Sequence, residues 1–218
     1  MKVGLINISY ETRETLPAAF ESWIKIKQGA LKDQIDELYL TSSHICFTET
    51  AELGYPLYSQ DGTIEYLSAL KKDGILDQFD LPAYHRTEIE GWNRWLDWLI
   101  DEKKIDLLWM VNSDEIITLN EIEKILNFVK KNELTDLFKI NFKNYCIDFN
   151  TYVDNFCVDR IWWTNKNQGI FRFFQDDLVE YKNNAKAPQC SSLIIPKKLA
   201  MPKHYSWVSK DENKIKVS

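Results

Sequence analysis

The amino-acid sequence predicts a single α/β domain, built on a mostly parallel sheet flanked by helices, with a smaller irregular part towards the C-terminus. The first observation is alternation: short apolar runs and amphipathic segments follow one another up to about residue 140, which is typical of βαβ units. The second is length, because 218 residues suit one domain with a proper core. The third is the aromatic and irregular pattern that begins after Asn150.

The beginning of the chain predicts two strand–helix pairs. The run KVGLINISY is short and apolar, and predicts a buried first strand. The segment ETLPAAFESWIKIKQG follows as a helix, with Pro17 in its first turn and Gly29 at its end. The run IDELYLTSS predicts the second strand, and TIEYLSALKKDG predicts a second helix that ends at Gly74. Two such pairs in succession indicate the start of a parallel sheet.

A tryptophan-rich segment, TEIEGWNRWLDWLIDEKK, predicts the third helix. Its large apolar residues recur at helical spacing: Ile89, Trp92, Trp95, Leu96 and Leu99. A stripe of this kind predicts that the tryptophans face the core rather than a ligand.

The second part of the chain begins with the most apolar run in the sequence, Ile105–Val111, which predicts a buried strand. In the TLNE segment that follows, Thr118 and Glu121 form a capping box, which opens the helix EIEKILNFVKKN. A further strand is predicted at DLFKINFKNY, and short strands at GIFRFF and SSLIIP. We find no repeat and no low-complexity linker, so residues 1–218 are predicted to form one domain.

Composition excludes several classes of protein. The net charge of -6 argues against a broad basic face that wraps nucleic acid. The four cysteines form no C-x-x-C pair, which argues against a zinc knuckle or a redox motif. The N-terminal apolar run is too short for a signal peptide, and no segment approaches the length of a membrane span. We therefore expect a cytoplasmic protein with no membrane span.

An acidic turn follows the most apolar strand. Asn112, Ser113, Asp114 and Glu115 stand where ligands bind in open α/β sheets, beyond the carboxyl end of a strand. A carboxylate at this place can hold Mg²⁺ or Mn²⁺, which share their remaining coordination positions with phosphates. Neither standard glycine-rich phosphate loop is present in the chain. The turn is therefore a candidate metal site, and a solvated turn before a helix is the alternative.

Two further segments fit the same kind of site. The first strand ends in NISYETR, whose small polar groups and tyrosine can read a base and a ribose. His204 lies near the other end of the chain in MPKHYSW, and a late imidazole ligand suits Mn²⁺. The flanking Lys203 and Lys210 predict a mobile, solvated tail around this histidine.

Together these segments resemble the GT-A glycosyltransferases, in particular the small, family-2-like, metal-dependent enzymes of bacteria and their viruses. The resemblance implies that Asp114 binds the metal ion that bridges the donor's diphosphate, and that His204 is the second protein ligand. Asn112 departs from the family pattern, which has an acid there, and Glu115 resembles the fourth position of a D-x-D-E variant. The family also implies that residues 1–145 bind the nucleotide sugar and residues 146–218 form an acceptor and closing part.

The resemblance implies roles for further residues. The donor is expected to contact Asn7, Ile8, Ser9, Tyr10, Ser42, Arg86, Asn93, Asn112 and Ser113. Arg94 belongs to the same polar segment as Asn93. The general base is expected to be Asp177 or Asp176, with Asp148 and Asp154 as rivals.

The expected reaction is transfer of a sugar from a nucleoside diphosphate sugar, with Mn²⁺ or Mg²⁺ as cofactor. The family expectation for the donor is a UDP-sugar such as UDP-glucose. The acceptor is open between a polysaccharide, a lipid-linked glycan, a protein and a modified base. The chain has no clear nucleophile motif, which favours inversion at the anomeric carbon over retention.

Two other functions stay open at this point. A nucleotidyltransferase also presents metal-binding acids at a strand end, although such enzymes usually carry a glycine-rich loop after the first strand. A non-catalytic sugar-binding module would explain the eight Trp, ten Tyr and eleven Phe residues. Such a module would not need Asp114 and His204 together.

Overall fold

The computed structural model describes residues 1–46, 54–82, 84, 87–147, 151–164, 171–175, 178–181 and 191–208. The first half contains β1 (Lys2–Ser9), α1 (Leu16–Lys27), β2 (Glu37–His44), α2 (Thr63–Lys72), β3 (Gln78–Asp80), α3 (Glu88–Asn93), a π-helical turn (Trp98–Glu102) and β4 (Leu107–Asn112). The second half contains β5 (Glu115–Ile116), α4 (Leu119–Lys131), β6 (Leu137–Ile147), β7 (Tyr152–Trp163), β8 (Phe171–Gln175), β9 (Leu178–Tyr181), β10 (Ser192–Ile194) and β11 (Lys203–Val208).

One curved sheet organises the fold. Its strand order is β3-β2-β1-β4-β7-β6-β11-β5, and β10 pairs with β6 beside this path. The pairs from β3 to β4 are all parallel, whereas β7 runs antiparallel to both β4 and β6. β11 is parallel to β6 and antiparallel to β5, and β8 and β9 form a separate hairpin. The carboxyl ends of β1, β2 and β4 therefore meet at one edge of the sheet.

Helices cover the sheet through two apolar clusters. The larger cluster includes Phe20 and Trp23 of α1 and Trp109 of β4, and the two tryptophan rings meet edge to face at 4.9 Å. The predicted capping box is present: the Thr118 side chain accepts from the Glu121 amide at 3.3 Å and starts α4. None of the helices in the described residues combines the length and the apolar character that a membrane crossing requires.

The tryptophan-rich segment packs in the core as predicted, but it is not one continuous helix. Trp92, Leu96 and Leu99 are buried in the second apolar cluster. α3 ends at Asn93, and the π-helical turn starts only at Trp98. Between them a turn at residues 94–95 interrupts the helix, and the Trp95 indole donates a hydrogen bond to the Ser42 carbonyl at 3.2 Å.

The prediction of only short strands after residue 150 missed β7. This strand has 12 residues and lies inside the sheet, between β4 and β6. Its apolar pattern is interrupted by Asp159 and Arg160, both buried. Asp159 pairs with Lys139 at 2.9 Å and Arg160 with Glu115 at 2.6 Å. Partners on other strands make these charges compatible with a central strand, and they are not visible in the local sequence.

Candidate active site

Asp114 and His204 come together at the carboxyl edge of the sheet. Asp114 lies in the two-residue turn between β4 and β5, and His204 is opposite Glu115 in the antiparallel pair of β11 with β5. The Asp114 carbonyl accepts a hydrogen bond from the Tyr205 amide at 3.0 Å. As a result, Asp114 Oδ1 lies 3.6 Å from His204 Nε2.

The prediction that His204 itself is solvated is wrong, whereas Lys210, the other lysine on which the expected tail rested, lies outside the described residues. His204 is only 4% exposed, and its strand pairs with both β5 and β6. The His204 ring stacks on Phe156, with 4.7 Å between the ring centroids. Strand pairing on both sides of β11 thus holds the imidazole in place beside Asp114.

Asn144 orients the His204 imidazole. Its Oδ1 lies 2.9 Å from His204 Nδ1. An amide oxygen can only accept, so Nδ1 carries a proton, and Nε2, on the side of Asp114, is the nitrogen that offers a lone pair in the neutral ring. Metal-ligating histidines are commonly held in this way by an oxygen behind the ring.

The carboxylate of Asp114 and the imidazole of His204 fit a hard divalent cation that shares its coordination with a diphosphate. The described residues contain no group of three His, Cys, Asp or Glu side chains able to hold a metal ion, so the protein offers a carboxylate and an imidazole here. The buried Asn112 Oδ1, in the same turn, has no hydrogen-bond partner among the described residues. Mn²⁺ and Mg²⁺ commonly bind few protein groups and complete their shell with phosphate oxygens and water.

Glu115 points away from Asp114 and into the sheet. Its side chain is fully buried and forms a bidentate ion pair with Arg160, at 2.6 Å to Nη2 and 3.0 Å to Nε. The Glu115 carboxylate also accepts a hydrogen bond from the backbone N–H of Asn112 at 3.2 Å, which closes the turn around Asp114. Arg160 is 5% exposed and donates to the Asp159 carbonyl at 2.8 Å. The ion pair therefore fixes the backbone that presents Asp114.

A neutral polar network lies at the ends of β1 and β2. The Asn7 side chain donates to the Val111 carbonyl at 2.8 Å. Its Oδ1 accepts from Ser9 Oγ at 2.7 Å and from Ser42 Oγ at 2.9 Å. All three side chains are buried, so Asn7 links the ends of three parallel strands.

Aromatic residues surround the neighbouring end of β2. The ring of His44 lies 5.6 Å from that of Tyr10 and 6.3 Å from that of Tyr58. Burial lowers the pKa of His44 and outweighs the opposing effects of the Leu57 and Ser9 backbone and of Asp61. Burial, followed by the hydrogen bond with Cys46, raises the pKa of Tyr10.

The remaining predicted donor residues have mixed placements. Ile8 is buried in an apolar cluster, so its side chain serves the core. Ser113 is buried in the turn, and Asn93 ends α3 with a half-buried side chain. Arg94 is exposed and pairs with Asp80 at 3.1 Å. α3 can approach this edge closely because Gly91 has no side chain. A Cβ at this position would lie 1.7 Å from Ile45 and 3.0 Å from Ile8.

The predicted general bases are only partly covered by the structure. Asp176, Asp177, Asp148 and the donor candidate Arg86 lie outside the described residues. Asp154 is exposed and pairs with Lys197 at 3.2 Å.

Sequence reasoning missed Arg160, Asn144 and His44. Arg160 meets Glu115 only because β7 enters the sheet, and β7 was not predicted. Asn144 gave no signal of its own, since its role depends on the pairing of β6 with β11. His44 directly follows the predicted second strand, and its position beyond a carboxyl end was a usable signal.

No protein-family model matches the chain, and no curated protein sequence is similar to it at a significant level. Solved structures do match. S. aureus TarS 1-349 in complex with UDP-GlcNAc aligns over 100% of this chain and 62% of that one, with 13% identity and a TM-score of 0.53. A second structure of S. aureus TarS 1-349 aligns over 69% of this chain and 37% of that one, with 16% identity and a TM-score of 0.46.

A cytidylyltransferase from Leptospira borgpetersenii serovar Hardjo-bovis also matches, over 75% of this chain and 60% of that one, with 11% identity and a TM-score of 0.40.

At such low identity, the UDP-GlcNAc complex of TarS demonstrates a shared fold and nothing further. It confirms the expected fold class, a GT-A-like, mostly parallel sheet flanked by helices. The chain spans less than two thirds of the TarS fragment.

Proposed function

We propose that the protein is a metal-dependent glycosyltransferase that moves a sugar from a UDP-sugar to a hydroxyl acceptor, with inversion at the anomeric carbon. The observation that carries this proposal is the approach of Asp114 Oδ1 to His204 Nε2, 3.6 Å apart at the carboxyl edge of the sheet. The two residues are remote in sequence. The pairing of β11 with β5 brings them together, and the Asn144 side chain orients the His204 ring.

The fold supports the same function. It is shared with a protein that was crystallised with UDP-GlcNAc, S. aureus TarS 1-349. In this chain, the buried Asn7 network and Tyr10 occupy the ends of the strands next to the Asp114 turn. We assign the nucleoside to this region, with the diphosphate between it and the pair of Asp114 and His204.

The chain's own residues position the donor and offset charge. Asp114 and His204 would hold Mn²⁺ or Mg²⁺, which supplies a positive charge for the diphosphate as it leaves. Asn144 favours the tautomer of His204 in which Nδ1 is protonated and Nε2 can bind a metal ion, and the ion pair of Glu115 with Arg160 keeps the turn closed. The contribution of these residues is therefore position and electrostatics rather than covalent chemistry.

A carboxylate must take the proton from the acceptor hydroxyl as its oxygen attacks the anomeric carbon. We assign this role to Asp177 or Asp176. Asp154 is a weaker candidate because its carboxylate is exposed and already paired with Lys197.

The proposal is tested by thermal-shift screening of nucleotide sugars, each with and without Mn²⁺, followed by a transfer assay with the best donor. A ligand that binds only the native state raises the melting temperature. We expect UDP-sugars to stabilise the protein only with Mn²⁺, and Asp177→Asn with Asp176→Asn to retain this stabilisation while losing transfer.

The alternatives give different results in the same experiment. A nucleotidyltransferase would be stabilised by a nucleoside triphosphate and would release pyrophosphate in the presence of a sugar phosphate. A sugar-binding module would respond to free sugars without Mn²⁺. Either pattern, with no response to UDP-sugars, would overturn the proposed function.

A further inference from the structure

A lysine-lined cavity adjoins the two strands that carry His204 and Asn144. It has a volume of about 520 Å³ and is bounded by β5, β6, β11, the start of α4 and the loop before β11. Four lysines line it: Lys124, Lys143, Lys197 and Lys203. Leu199, Ala200 and Met201 form a less polar part of its wall.

Strand alternation places this cavity on the opposite face of the sheet from the side chains of His204 and Asn144. Successive side chains of a strand point to opposite faces. On β11 and β6, Lys203 pairs with Lys143, and the next residues, His204 and Asn144, also pair. The first pair lines the cavity, whereas His204 and Asn144 hydrogen-bond to each other on the other face. The cavity is thus a separate site that shares its strands with the active site.

The described side chains that line the cavity carry a net positive charge, with four lysines and one acid. Its one acid, Glu121, is already engaged by the Thr118 hydroxyl at 2.7 Å, the Thr118 amide at 3.0 Å and the Met201 amide at 3.3 Å. Lys197 has one partner, Asp154, at 3.2 Å. Lys124 and Lys203 form no ion pair within the described part of the chain. This concentration of cations contrasts with the overall net charge of -6.

We propose that this cavity binds a ligand carrying phosphate groups, separately from the nucleotide-sugar donor. Lysine ammonium groups act as point charges for phosphate oxygens, and several of them around one cavity favour an anion with more than one charge. The volume is that of an ordinary small-molecule site. The ligand is either a phosphorylated sugar or an inorganic oligophosphate, which share this chemistry. The inference goes beyond the proposed function and does not depend on it.

The test is calorimetric titration of inorganic pyrophosphate and of glucose 6-phosphate, with EDTA present to remove divalent metal ions. The double variant Lys143→Gln with Lys203→Gln should weaken pyrophosphate binding roughly tenfold or more, because two charge-assisted contacts are lost. The matched control, Lys32→Gln with Lys72→Gln, removes the same charge from exposed lysines outside the cavity and should leave binding unchanged. A second cavity pair, Lys124→Gln with Lys197→Gln, should repeat the loss.

Further arms identify the ligand and the site. If glucose 6-phosphate binds more tightly than pyrophosphate, and glucose itself does not bind, the ligand is a phosphorylated sugar. If pyrophosphate binds more tightly than glucose 6-phosphate, the ligand is an oligophosphate. Asp114→Asn should bind pyrophosphate as the wild type does. No binding to the wild type, equal losses in the cavity and control variants, or loss in Asp114→Asn would each overturn the inference.

Discussion

The carboxyl edge of the sheet carries two polar regions that are held together in different ways. The network of Asn7, Ser9 and Ser42 is neutral. The hydrogen bonds of Asn7 with Val111 and with Ser42 join neighbouring parallel strands, and the bond from Ser9 to Asn7 lies within β1. The turn that carries Asp114 is charged, and its partners, His204 and Arg160, come from strands added later in the chain. The neutral region is therefore part of the sheet's framework, whereas the charged region depends on the correct insertion of β7 and β11.

This difference predicts that the charged region is the more fragile of the two. Removing one member of a buried ion pair leaves an uncompensated charge, which costs more than an unpaired neutral group. The same difference separates the functions we assign, since neutral groups suit a nucleoside and the charged pair suits a metal ion with a diphosphate.

The largest expected effect on stability comes from Arg160. Arg160→Met leaves the fully buried Glu115 carboxylate without its partner, and should lower the free energy of unfolding by about 3–5 kcal/mol. Urea unfolding at neutral pH measures this. As control, Lys25→Met breaks an exposed pair with Glu21 and should cost about 0.5 kcal/mol or less.

A double variant sharpens this prediction. Glu115→Leu together with Arg160→Met removes both charges, and should be more stable than Arg160→Met alone, because no buried charge is left unpaired. Equal stability of the single and double variants would contradict the account of this ion pair.

The neutral region should show a smaller effect. Asn7→Ala leaves the Val111 carbonyl and the Ser9 and Ser42 hydroxyls without their shared partner, at a cost of about 1–3 kcal/mol. Asn141→Ala is the matched control, since this buried amide donates one hydrogen bond, to the Ile195 carbonyl at 3.2 Å. Asn7→Ala should also weaken UDP binding in calorimetry, while Asn141→Ala should not. Equal UDP affinity in the two variants would remove Asn7 from the donor site.

The smallest expected effect is the pH dependence due to His44. Burial lowers its folded-state pKa, so below about pH 6.5 the unfolded chain binds a proton that the native state does not. Stability should therefore fall as the pH drops through this value, by at most about 1.4 kcal/mol per pH unit for one proton. Urea unfolding of the wild type and His44→Gln at several pH values should show a shallower decline in the variant. Parallel curves would show that His44 takes no part.

The sequence predicted the neutral region better than the charged one for physical reasons. Asn7 and Ser42 lie near the carboxyl ends of β1 and β2, two strands that the sequence predicted. Asp114 of the charged region follows the same local pattern, because it lies just beyond the end of β4. Because parallel strands end at the same edge, their approximate convergence follows from local patterns. The capping box at Thr118 is likewise a local signal.

The partners of the charged region could not be predicted in the same way. Arg160 looked like one more charge in an irregular segment, because a central strand with buried charges has no characteristic alternation. His204 was selected by residue type and resemblance, yet its lysine neighbours gave the wrong expectation of a solvated tail. Only pairing between strands distant in sequence decides these placements.

The central claim is that Asp114 and His204 together hold a metal ion that binds the donor's diphosphate. Calorimetric titration of UDP into the wild type and Asp114→Asn, with Mn²⁺ and with EDTA, tests it most directly. We predict Mn²⁺-dependent binding that Asp114→Asn and His204→Ala abolish, and that Asn144→Ala weakens about 10–100-fold through loss of the oriented imidazole. All variants should keep the circular dichroism spectrum of the wild type. Unchanged Mn²⁺-dependent UDP affinity in Asp114→Asn would contradict the account.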